Sequence, residues 1–531
     1  MTNAPYILAI DHGTSGIKTA LVSVYGRVMD FAFQPTDTLF LKDGGVEQAP
    51  DEWWRAVIST TARLMNRQCL SGGDIAAVSV SSTFSSTVAV DAQGCPLMNA
   101  VTWMDTRGGP YVRSAMAGFP SFEGYGIGKA MKWVRRTGGA PTLSGKDDIG
   151  HVLFIKNRHP GIYDKTRWFL PSKDYLNLRL TGIPAATVDS IHLFWVTDIR
   201  NINHVGYDDG LIRGFGIDRQ KLPPLMVPTD ILGTVSADAA TETGLAAGTP
   251  VVAGSPDHQT ACVGSGAVRD FHGHIYVGTS CWVQCPVPFK KTDVLHSVAS
   301  FPTAIPGRYQ AVNEQDIAGK ALDFAHELLY GAGQADAGTG STDPYAMMTA
   351  LAESAPAGSG GVMFTPWLNG ERTPVDDETI RGCLFNLSMT TTRHQIMRAV
   401  LEGVACNTRW SLKYVERFIK KPLTRTAPVT IIGGGARSDT WCRIFADVLN
   451  RDIRRPEDPV QANARGAAFI ASAAMGYITF DDIPELMTYD AFFSPRSENR
   501  AVYDDLFDNF RRLYTAHKGI CKTLNRTGTV S

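Results

Sequence analysis

The chain has 531 residues, which is too long for one hydrophobic core and favours two or more domains, with two large ones as the default expectation. Its formal net charge is -1 and 19% of its residues are charged, which excludes a general attraction to nucleic acids or acidic membranes. The N-terminal residues MTNAPYILAIDHG lack the basic and apolar regions of a secretory signal, and no segment approaches the roughly 18 uninterrupted apolar residues of a membrane span. We therefore expect a cytoplasmic protein that has neither a nucleic acid nor a membrane as a partner.

The cysteines and histidines indicate neither a disulfide framework nor a metal site. The nine cysteines are odd in number and widely spaced. Cys281 and Cys285 lie on a strand-like run, and we interpret them as buried free thiols. His272 and His274 have no third ligand nearby, so we interpret them as part of a turn.

The first residues predict a three-stranded meander. An apolar strand around Ile7 is followed by a second strand at residues 17–24 and a third from Val28. In VEQAPDEWWRAVISTTARLM, Pro50 and Asp51 mark the start of a helix. The runs IAAVSVSS and STVAVD are typical of buried strands. The alternation of strands and helices predicts an α/β protein.

The opening pattern returns in the middle of the chain. Residues 185–245 are irregular and indicate a cap of loops and short helices, after which HGHIYVGTSCWVQCPV repeats a strand, a Gly-Thr-Ser turn and a strand. The C-terminal half is more helical, with a helix predicted at residues 392–419. The segment APVTIIGGGARSDTWCRIFADVLN predicts a strand, a triple-glycine turn and a helix capped by Ser438 or Asp439. No low-complexity linker separates the halves, so we expect a hinge between them.

The turn DHGTSG, between the first two strands, has the composition of a phosphate site. Its glycines expose backbone N–H groups, Thr14 and Ser15 supply hydroxyls, and Lys18 adds a cation. The carboxylate of Asp11 has the wrong charge for a phosphate unless a magnesium ion lies between them. The alternative is an ordinary hairpin in which Asp11 caps its own turn.

Two further glycine turns favour nucleotide binding. They are Gly278-Thr279-Ser280 and the triple glycine at residues 433–435. The Gly-Lys pairs that begin at residues 128, 145 and 319 are not followed by Ser or Thr, so there is no Walker A motif, and no GxGxxG opens a helix. Nucleotide binding would therefore use two hairpins.

These motifs resemble those of the FGGY carbohydrate kinases, members of the actin-like ATPase superfamily, over nearly the whole chain. AIDHGTSGIKTALV and IYVGTSCWV resemble the two phosphate motifs of that family, and IIGGGARSDTW with ARGAAFIA resembles its adenosine motif. GGVEQAPDEWW, VTWMDTRG, PSKDYLNLRLTG, NGERTP and AVLEGVA follow in the order of the xylulokinase branch. The resemblance implies an α/β fold of two ribonuclease H-like (actin-like ATPase) domains flanking a deep cleft. Residues 1–255 would bind a sugar and carry cap insertions, and residues 256–531 would bind ATP.

The resemblance also implies a general base and a set of ligands for Mg-ATP. The family's catalytic aspartate matches Asp257 in AGSPDHQ, and a sugar hydroxyl independently needs a positioned carboxylate to accept its proton. The alternative for Asp257 is a helix N-cap. By the same resemblance, Asp11 would hold Mg²⁺ through water. The residues expected to bind ATP are Thr14, Ser15, Lys18, Gly278, Thr279, Gly319, Gly434, Gly435 and Asp439.

The sugar side departs from the family pattern. Where xylulokinases show Gln-Met-His-Gly and glycerol kinases Gln-Arg-Glu, this chain has Thr-Phe-Ser-Ser at residues 83–86, so neither xylulose nor glycerol can be assumed. Asp105 matches a sugar-binding carboxylate, with a structural salt bridge to Arg107 as the alternative. His258 follows the base, where Asn or Gln is common, and is either a sugar contact or a solvent-facing loop histidine. The substrate-binding residues predicted are Phe84, Ser85, Asp105, Asp257 and His258.

The leading hypothesis is an ATP-dependent kinase that phosphorylates a terminal hydroxyl of a small sugar or polyol, most simply a pentulose such as D-xylulose. Ribulose, erythritol and glycerol are alternative substrates, and an actin-like nucleotide switch or a non-catalytic sugar sensor are alternative functions. Glu371 and Arg372 in GERTP are expected to anchor a loop by an ion pair. Family analogy suggests a homodimer.

Overall fold

The computed structural model describes residues 5–331, 344–423 and 427–525. The strands of the N-terminal half are β1 (Tyr6–Gly13), β2 (Gly16–Ser23), β3 (Val28–Pro35), β4 (Leu39–Phe40), β5 (Val46–Gln48), β6 (Ile75–Ser82), β7 (Thr87–Val90), β8 (Ala100–Val101), β9 (Ser121–Phe122), β10 (Tyr125–Gly126), β11 (Trp168–Pro171), β12 (Ala186–Thr187), β13 (Thr197–Asp198), β14 (Gly206–Tyr207), β15 (Leu225–Met226), β16 (Ile231–Thr234) and β17 (Pro250–Val252). Its helices are α1 (Pro50–Gln68), α2 (Gly109–Met116), α3 (Ile127–Thr137), α4 (Asp148–Arg158), α5 (Pro160–Lys165), α6 (Ser172–Thr181), α7 (Asp209–Phe215) and α8 (Ala237–Thr243).

The second half begins with a helix. Its helices are α9 (Asp257–Gly264), α10 (Gly319–Tyr330), α11 (Pro344–Glu353), α12 (Arg393–Ile419), α13 (Asp439–Leu449), α14 (Ala462–Ala474), α15 (Ile483–Leu486) and α16 (Arg500–Leu524). Its strands are β18 (His274–Val277), β19 (Cys281–Val287), β20 (Thr292–Asp293), β21 (Val298–Pro302), β22 (Tyr309–Val312), β23 (Met363–Thr365), β24 (Cys383–Phe385), β25 (Val429–Ile432), β26 (Ile453–Pro456) and β27 (Tyr489–Phe493).

Each half is built on one large mixed sheet with the same central arrangement. The first sheet has the order β16-β17-β6-β1-β2-β3, with β1, β2 and β3 antiparallel and β6 parallel to β1. The second has the order β20-β21-β22-β19-β18-β25-β26-β27, with β19 antiparallel and β25 parallel to β18. The predicted opening meander and its repetition are therefore confirmed, and each sheet opens on a hairpin whose turn carries Thr-Ser.

Local sequence explains where the main helices begin. Pro50 is the first residue of α1, where a backbone N–H is not needed. Thr392 and Gln395 form a capping box at the start of α12. Ser438 caps α13, its hydroxyl accepting a hydrogen bond from the N–H of Trp441 (3.1 Å). Of the two caps considered for α13, the serine is therefore the correct one.

Helices α9 and α14 cross at the junction of the two halves, and two glycines allow the crossing. A Cβ atom on Gly264 would lie 1.8 Å from the carbonyl oxygen of Ala462, and one on Gly466 would lie 1.9 Å from that of Thr260. Neither backbone can move away without separating the helices, so only glycine fits at either position.

Helix α14 belongs to the second half by sequence but also covers one face of the first sheet. One apolar cluster contains Ile7, Ala9 and Val22 of β1 and β2 together with Ala468 and Phe469 of α14. The two halves therefore share part of their hydrophobic core.

Three smaller expectations concern cysteine, histidine and membranes. Cys281 and Cys285 are buried free thiols on β19, as predicted. His274 is the first residue of β18 rather than part of a turn, because its strand starts directly after Gly273. Within residues 5–331, 344–423 and 427–525, no helix has the length and apolar character required to cross a membrane.

Candidate active site

The hairpin between β1 and β2 is the first phosphate-binding candidate. Asp11 and Lys18 face each other across the strands, with Lys18 Nζ 3.6 Å from Asp11 Oδ2. Thr14 and Ser15 form the tip, where the Thr14 hydroxyl accepts a hydrogen bond from Nε1 of Trp103 (3.1 Å). Burial raises the pKa of Asp11, while Lys18 acts in the opposite direction. The hairpin thus combines hydroxyls, an ammonium group and a buried carboxylate, which suits a metal-phosphate group.

The turn between β18 and β19 is the second phosphate-binding candidate. Thr279 is exposed at its tip, next to Gly278. The backbone N–H groups of Ala318 and Gly319 donate to the carbonyl oxygens of Thr279 (2.9 Å) and Gly278 (2.7 Å). The structure therefore places Gly319, at the start of α10, directly against this hairpin.

The substitution Gly319→Ala is expected to weaken ATP binding. A Cβ atom at this position would lie 2.6 Å from the carbonyl oxygen of Gly278, so the second hairpin must shift. We expect the KM for ATP to rise about tenfold, the equivalent of ~1.4 kcal/mol, with little change in the KM for sugar. Gly128→Ala in α3 is the matched control, because a Cβ there has no neighbour within 4 Å. Equal KM values for ATP in the two variants would show that the close approach is irrelevant to binding.

The triple-glycine turn after β25 packs against the end of β18. A Cβ atom on Gly435 would lie 2.5 Å from Cγ1 of Val277, whereas one on Gly434 would have no neighbour within 4 Å. Asp439, in the first turn of α13, forms an ion pair with Arg455 (2.7 Å). Of the predicted adenosine residues, Gly434 therefore has an open side that a ligand can approach, whereas Gly435 is packed against β18.

Asp257, the predicted base, is the first residue of α9 and is half-buried. Its Oδ1 accepts a hydrogen bond from the N–H of His258 (2.9 Å). Pro256 occupies the N-cap position and α9 has no side-chain cap, so the alternative role of Asp257 as a helix N-cap is wrong. Burial and then the negative charges of Asp11 and Glu314 raise the pKa of Asp257 well above its ordinary value.

Asp257 and the two hairpins lie close together. Burial, followed by the charges of Asp257 and Asp11, raises the pKa of Tyr276 on β18. Both carboxylates therefore lie near this one phenol. Lys18 donates a hydrogen bond from Nζ to the carbonyl oxygen of Val460 (3.1 Å), which joins the first hairpin to the second half. The structure therefore brings together Asp11, Lys18 and Asp257, which are distant in sequence.

A buried lysine holds the segment that leads into Asp257. Lys173 on α6 is fully buried and pairs with the carboxylate of Asp174. Its Nζ also donates to the carbonyl oxygen of Ala253 (2.9 Å), which accepts a second hydrogen bond from Nδ2 of Asn177 (2.8 Å). The backbone just before Asp257 is thus fixed by an ammonium group and an amide.

A second buried carboxylate supports the same segment. Asp189 accepts hydrogen bonds from the hydroxyls of Ser255 (2.6 Å) and Thr187 (2.5 Å). Burial raises the pKa of Asp189, and Lys173 acts in the opposite direction. Neither Lys173 nor Asp189 was among the predicted site residues. A Lys-Asp pair within the apolar helix PSKDYLNLRLTG was the signal that could have identified the first of them.

Two of the predicted sugar contacts lie side by side next to the base. The His258 ring stacks on Trp282 (centroids 4.2 Å apart, 16°) and meets the edge of Phe84 (5.8 Å, 82°). His258 is 8% exposed and lies in α9, so the alternative of a solvent-facing loop histidine is wrong. Ser85 is buried, and its hydroxyl donates to the carbonyl oxygen of Lys146 (2.7 Å).

Asp105 is fully buried and its carboxylate oxygens are engaged within the protein. They accept hydrogen bonds from the N–H groups of Val46 (2.9 Å) and Arg107 (2.8 Å) and from the guanidinium of Arg107 (2.6 Å). Arg107 also pairs with Glu47 (2.7 Å). This geometry matches the salt-bridge alternative for Asp105, because no exposed oxygen remains for a sugar hydroxyl.

The GERTP loop contains an ion pair, but its partners differ from those predicted. Arg372 pairs with Glu314 and with Asp316 (3.1 Å) rather than with its neighbour Glu371. Glu371 is buried and accepts a hydrogen bond from Nδ2 of Asn407 (2.6 Å). Burial raises its pKa to about 8. Glu314 and Arg372 thus join the charged groups around Asp257. Sequence reasoning did not predict that they lie near the base.

A surface groove of about 710 Å³ lies outside this cleft, beside α5 and α7. It contains none of the predicted site residues. Two of its cations are committed to backbone carbonyl oxygens, since Arg167 donates to Gln220 and Lys221 to Thr166. The groove therefore gives no reason to move the candidate site away from Asp257 and the two hairpins.

Known proteins are similar to this chain over nearly its whole length. The sequence model described as "FGGY family of carbohydrate kinases, N-terminal domain" matches residues 6–264, and the corresponding C-terminal domain matches residues 273–475. A xylulose kinase from Bacillus subtilis (strain 168) is 27% identical over 523 residues, which cover 97% of this chain and 98% of that protein. A gluconokinase from the same organism is 26% identical over 510 residues, covering 96% and 95%.

Solved structures show the same fold. The ligand-bound xylulose kinase from Lactobacillus acidophilus superposes with a TM-score of 0.85 at 23% identity, covering 98% of this chain and 100% of that one. The predicted α/β class, with two actin-like ATPase domains, is confirmed. Because the two family models together span most of the chain, it belongs to the FGGY family of carbohydrate kinases and is an ATP-dependent sugar kinase.

Proposed function

We propose that this kinase transfers the γ-phosphoryl group of ATP to a terminal hydroxyl of a small ketose or polyol, with D-xylulose as the first candidate. The observation that carries the proposal is the position of Asp257, half-buried beside both hairpins, with a pKa raised by burial and by neighbouring carboxylates. A carboxylate of raised pKa is a more effective proton acceptor near neutral pH. D-xylulose is the first candidate because xylulose kinases are among the relatives.

In the proposed reaction, Asp257 accepts the proton of the sugar hydroxyl as its oxygen attacks the γ-phosphorus. The bond from that phosphorus to the β,γ-bridging oxygen breaks, and ADP leaves. The hairpins neutralise the phosphate charge, and closure of the cleft excludes water. The residues proposed to bind ATP are Thr14, Ser15, Lys18, Gly278, Thr279, Gly319, Gly434, Gly435 and Asp439.

Asp11 fits a magnesium site completed by phosphate and water. Among the residues described, no group of three or more His, Cys, Asp or Glu side chains could hold a metal ion. Magnesium is commonly bound by one or two carboxylates together with substrate phosphates, and Asp11 is a buried carboxylate at the end of the phosphate hairpin. We propose that Asp11 holds Mg²⁺ through water. When bound, the ion neutralises charge on the phosphates.

The charge of the cleft favours a neutral substrate. Asp11 and Glu314 already raise the pKa of Asp257 by their negative charge, and Arg372 is paired with Glu314. An aldonate would add a further negative charge beside these carboxylates, so a ketose or polyol is favoured over gluconate. Phe84, Ser85 and His258 are the proposed sugar contacts, and Asp105 is assigned a structural role.

The direct test is an ADP-release assay with Mg-ATP against pentuloses, hexuloses, tetritols, glycerol and aldonates. D-Xylulose is expected to give the highest kcat/KM, with gluconate among the poorest. A preference for an aldonate would contradict the charge argument. Turnover of no compound in the panel would contradict the proposed substrate class.

The raised pKa of Asp257 predicts an acid limb in the pH profile. Its carboxyl group is protonated, and therefore inactive as a base, below that pKa, so kcat/KM should rise with pH at values above the ordinary aspartate pKa of about 3.9. Glu314→Gln removes a negative charge, lowers the pKa of Asp257 and moves the limb to lower pH. Asp316→Asn is the matched control, since Asp316 also pairs with Arg372 (3.1 Å). An unmoved limb in Glu314→Gln, or an equal shift in both variants, would contradict the assignment.

The domain boundary and the oligomeric state are also proposals. We place the boundary between residues 255 and 256, after β17 and before α9, with sugar bound mainly by residues 1–255 and ATP mainly by residues 256–531. The match to the N-terminal family model ends a few residues later, at residue 264, and the match to the C-terminal model begins at residue 273. The homodimer stays a prediction that sedimentation velocity would test.

A further inference from the structure

Two glutamine side chains connect His258 to the sheet behind it. Gln284 on β19 and Gln310 on β22 are both fully buried. Nε2 of Gln284 lies 2.7 Å from Nδ1 of His258. Nε2 of Gln310 donates to the backbone carbonyl oxygen of His258 (3.0 Å) and to Oε1 of Gln284. The imidazole is thus held from one side by a chain of amides.

The carbonyl oxygen of His258 fixes the direction of this chain. A backbone carbonyl only accepts hydrogen bonds, so the Gln310 atom facing it must be the NH₂ group. That NH₂ group also faces Gln284, whose nearer atom must therefore be its oxygen. The NH₂ group of Gln284 is then left to face Nδ1 of His258. A second carbonyl, that of Asn313, lies 3.4 Å from the same NH₂ group and supports this orientation.

We infer that Gln284 is a positioning residue that holds His258 in its Nε2–H tautomer, so that the imidazole donates a hydrogen bond from Nε2 to a substrate oxygen beside Asp257. Because Nδ1 accepts the hydrogen bond from Gln284, the single proton of the neutral ring resides on Nε2. Within the described part of the chain, Nε2 has no hydrogen-bond partner of its own. The inference rests on the proposed function for the identity of the acceptor, but the tautomer itself does not.

The surroundings of the ring keep it neutral and fixed in its plane. His258 stacks on Trp282, which stacks in turn on Tyr276 (centroids 4.0 Å apart, 8°). Nε1 of Trp282 donates to Nε2 of His274 (3.3 Å), which fixes the middle ring. Burial lowers the pKa of His258. The stack therefore leaves the imidazole no freedom to tilt away from Gln284.

This arrangement separates two tasks in the cleft. An imidazole with a protonated Nε2 can orient a sugar oxygen but cannot accept a proton from it at that atom. Asp257 is then the group that receives the proton of the reacting hydroxyl. The opposite tautomer would present a lone pair to the sugar oxygen and would compete with Asp257 as a base.

The tautomer can be measured without any substrate. In protein labelled with ¹⁵N-histidine, the His258 signals, assigned by their loss in His258→Gln, should show a protonated Nε2 and an unprotonated Nδ1. In Gln284→Met the donor to Nδ1 is gone, so the signals should shift towards a mixture of tautomers. Gln259→Met is the matched control. Gln259 is a buried amide of α9, the helix that carries His258, and it donates to the carbonyl oxygen of Pro302 (3.0 Å) and not to His258.

Sugar affinity tests the consequence of the tautomer. Gln284→Met should weaken binding of the sugar identified in the assay panel by roughly threefold to tenfold, as expected for one impaired hydrogen bond, with the KM for ATP unchanged. His258→Gln, which keeps an N–H group near the Nε2 position, should retain most of the affinity, whereas His258→Asn should lose it. In the His258→Gln background, Gln284→Met should have no further effect, because an amide has no tautomer to select. A purely structural role of Gln284 would give the same loss in both backgrounds.

The outcomes separate this inference from the proposed function. A protonated Nδ1 in the wild type, or a loss of affinity that persists in the His258→Gln background, would overturn the inference even in an active kinase. A protonated Nε2 that disappears in Gln284→Met supports the tautomer assignment. If such a protein turned over no sugar, the proposed function alone would be overturned.

Discussion

Asp257→Asn is expected to lower kcat by a factor of about 10² to 10⁴ while leaving the dissociation constants of ATP and sugar within a few-fold of their wild-type values. Asparagine has the size of aspartate, and its side-chain oxygen can still accept the hydrogen bond from the N–H of His258. What it removes is the ability to take the hydroxyl proton. Single-turnover kinetics with D-xylulose, together with calorimetric binding of both ligands, would measure the two effects separately.

The same substitution should raise Tm at neutral pH. A pKa raised in the folded state means that the ionised Asp257 opposes folding, and this cost grows as pH rises through that pKa. Asparagine carries no charge, so the gain in Tm should be present at neutral pH and vanish at acidic pH. Asp238→Asn, an exposed aspartate in the first turn of α8, is the control for both measurements. Near-normal turnover in Asp257→Asn would remove Asp257 from the role of base.

Lys173→Met is expected to lower the free energy of unfolding by about 3–5 kcal/mol, because it leaves a buried carboxylate without its partner. Lys173 and Asp174 are both buried, and the ammonium group also donates to the carbonyl oxygen of Ala253. The fraction that still folds should also turn over more slowly, since the backbone before Asp257 loses a support. Urea denaturation followed by tryptophan fluorescence would measure the first effect.

Two variants make this result specific to the buried pair. Lys42→Met replaces an exposed lysine and should change the free energy of unfolding by less than about 0.5 kcal/mol. Adding Asp174→Asn to Lys173→Met removes the uncompensated charge and should restore part of the lost stability. A loss below about 1 kcal/mol in Lys173→Met alone would contradict the view that the pair is a structural support.

The parts of the site that sequence reasoning predicted are local in sequence. Asp11 and Lys18 belong to one hairpin, so strand alternation and glycine content were enough to place them together. The starts of α1 and α13 follow from Pro50 and Ser438, each of which acts within one helical turn. Asp257 was found because its loop carries a motif, not because its neighbours were known.

The parts that were missed depend on contacts between distant residues. Trp103 donates to Thr14 across 89 residues, and Lys173 reaches Ala253 across 80. The partner of Arg372 was predicted as its neighbour Glu371 but is Glu314, 58 residues away. The spacing of side chains along a strand or helix carries no information about such pairs. Which residues meet is decided by how distant segments of the chain pack in the folded protein.

The position of α14 has a consequence for the way the chain matures. Strands β1 and β2 leave the ribosome long before α14, yet Ala468 and Phe469 of that helix cover the same face of the sheet as Ile7 and Val22. Until α14 has been synthesised, this apolar face lacks part of its cover, and exposed apolar surface favours aggregation or chaperone binding. The hydrophobic core of the first sheet is therefore complete only once residues 468 and 469 have been synthesised.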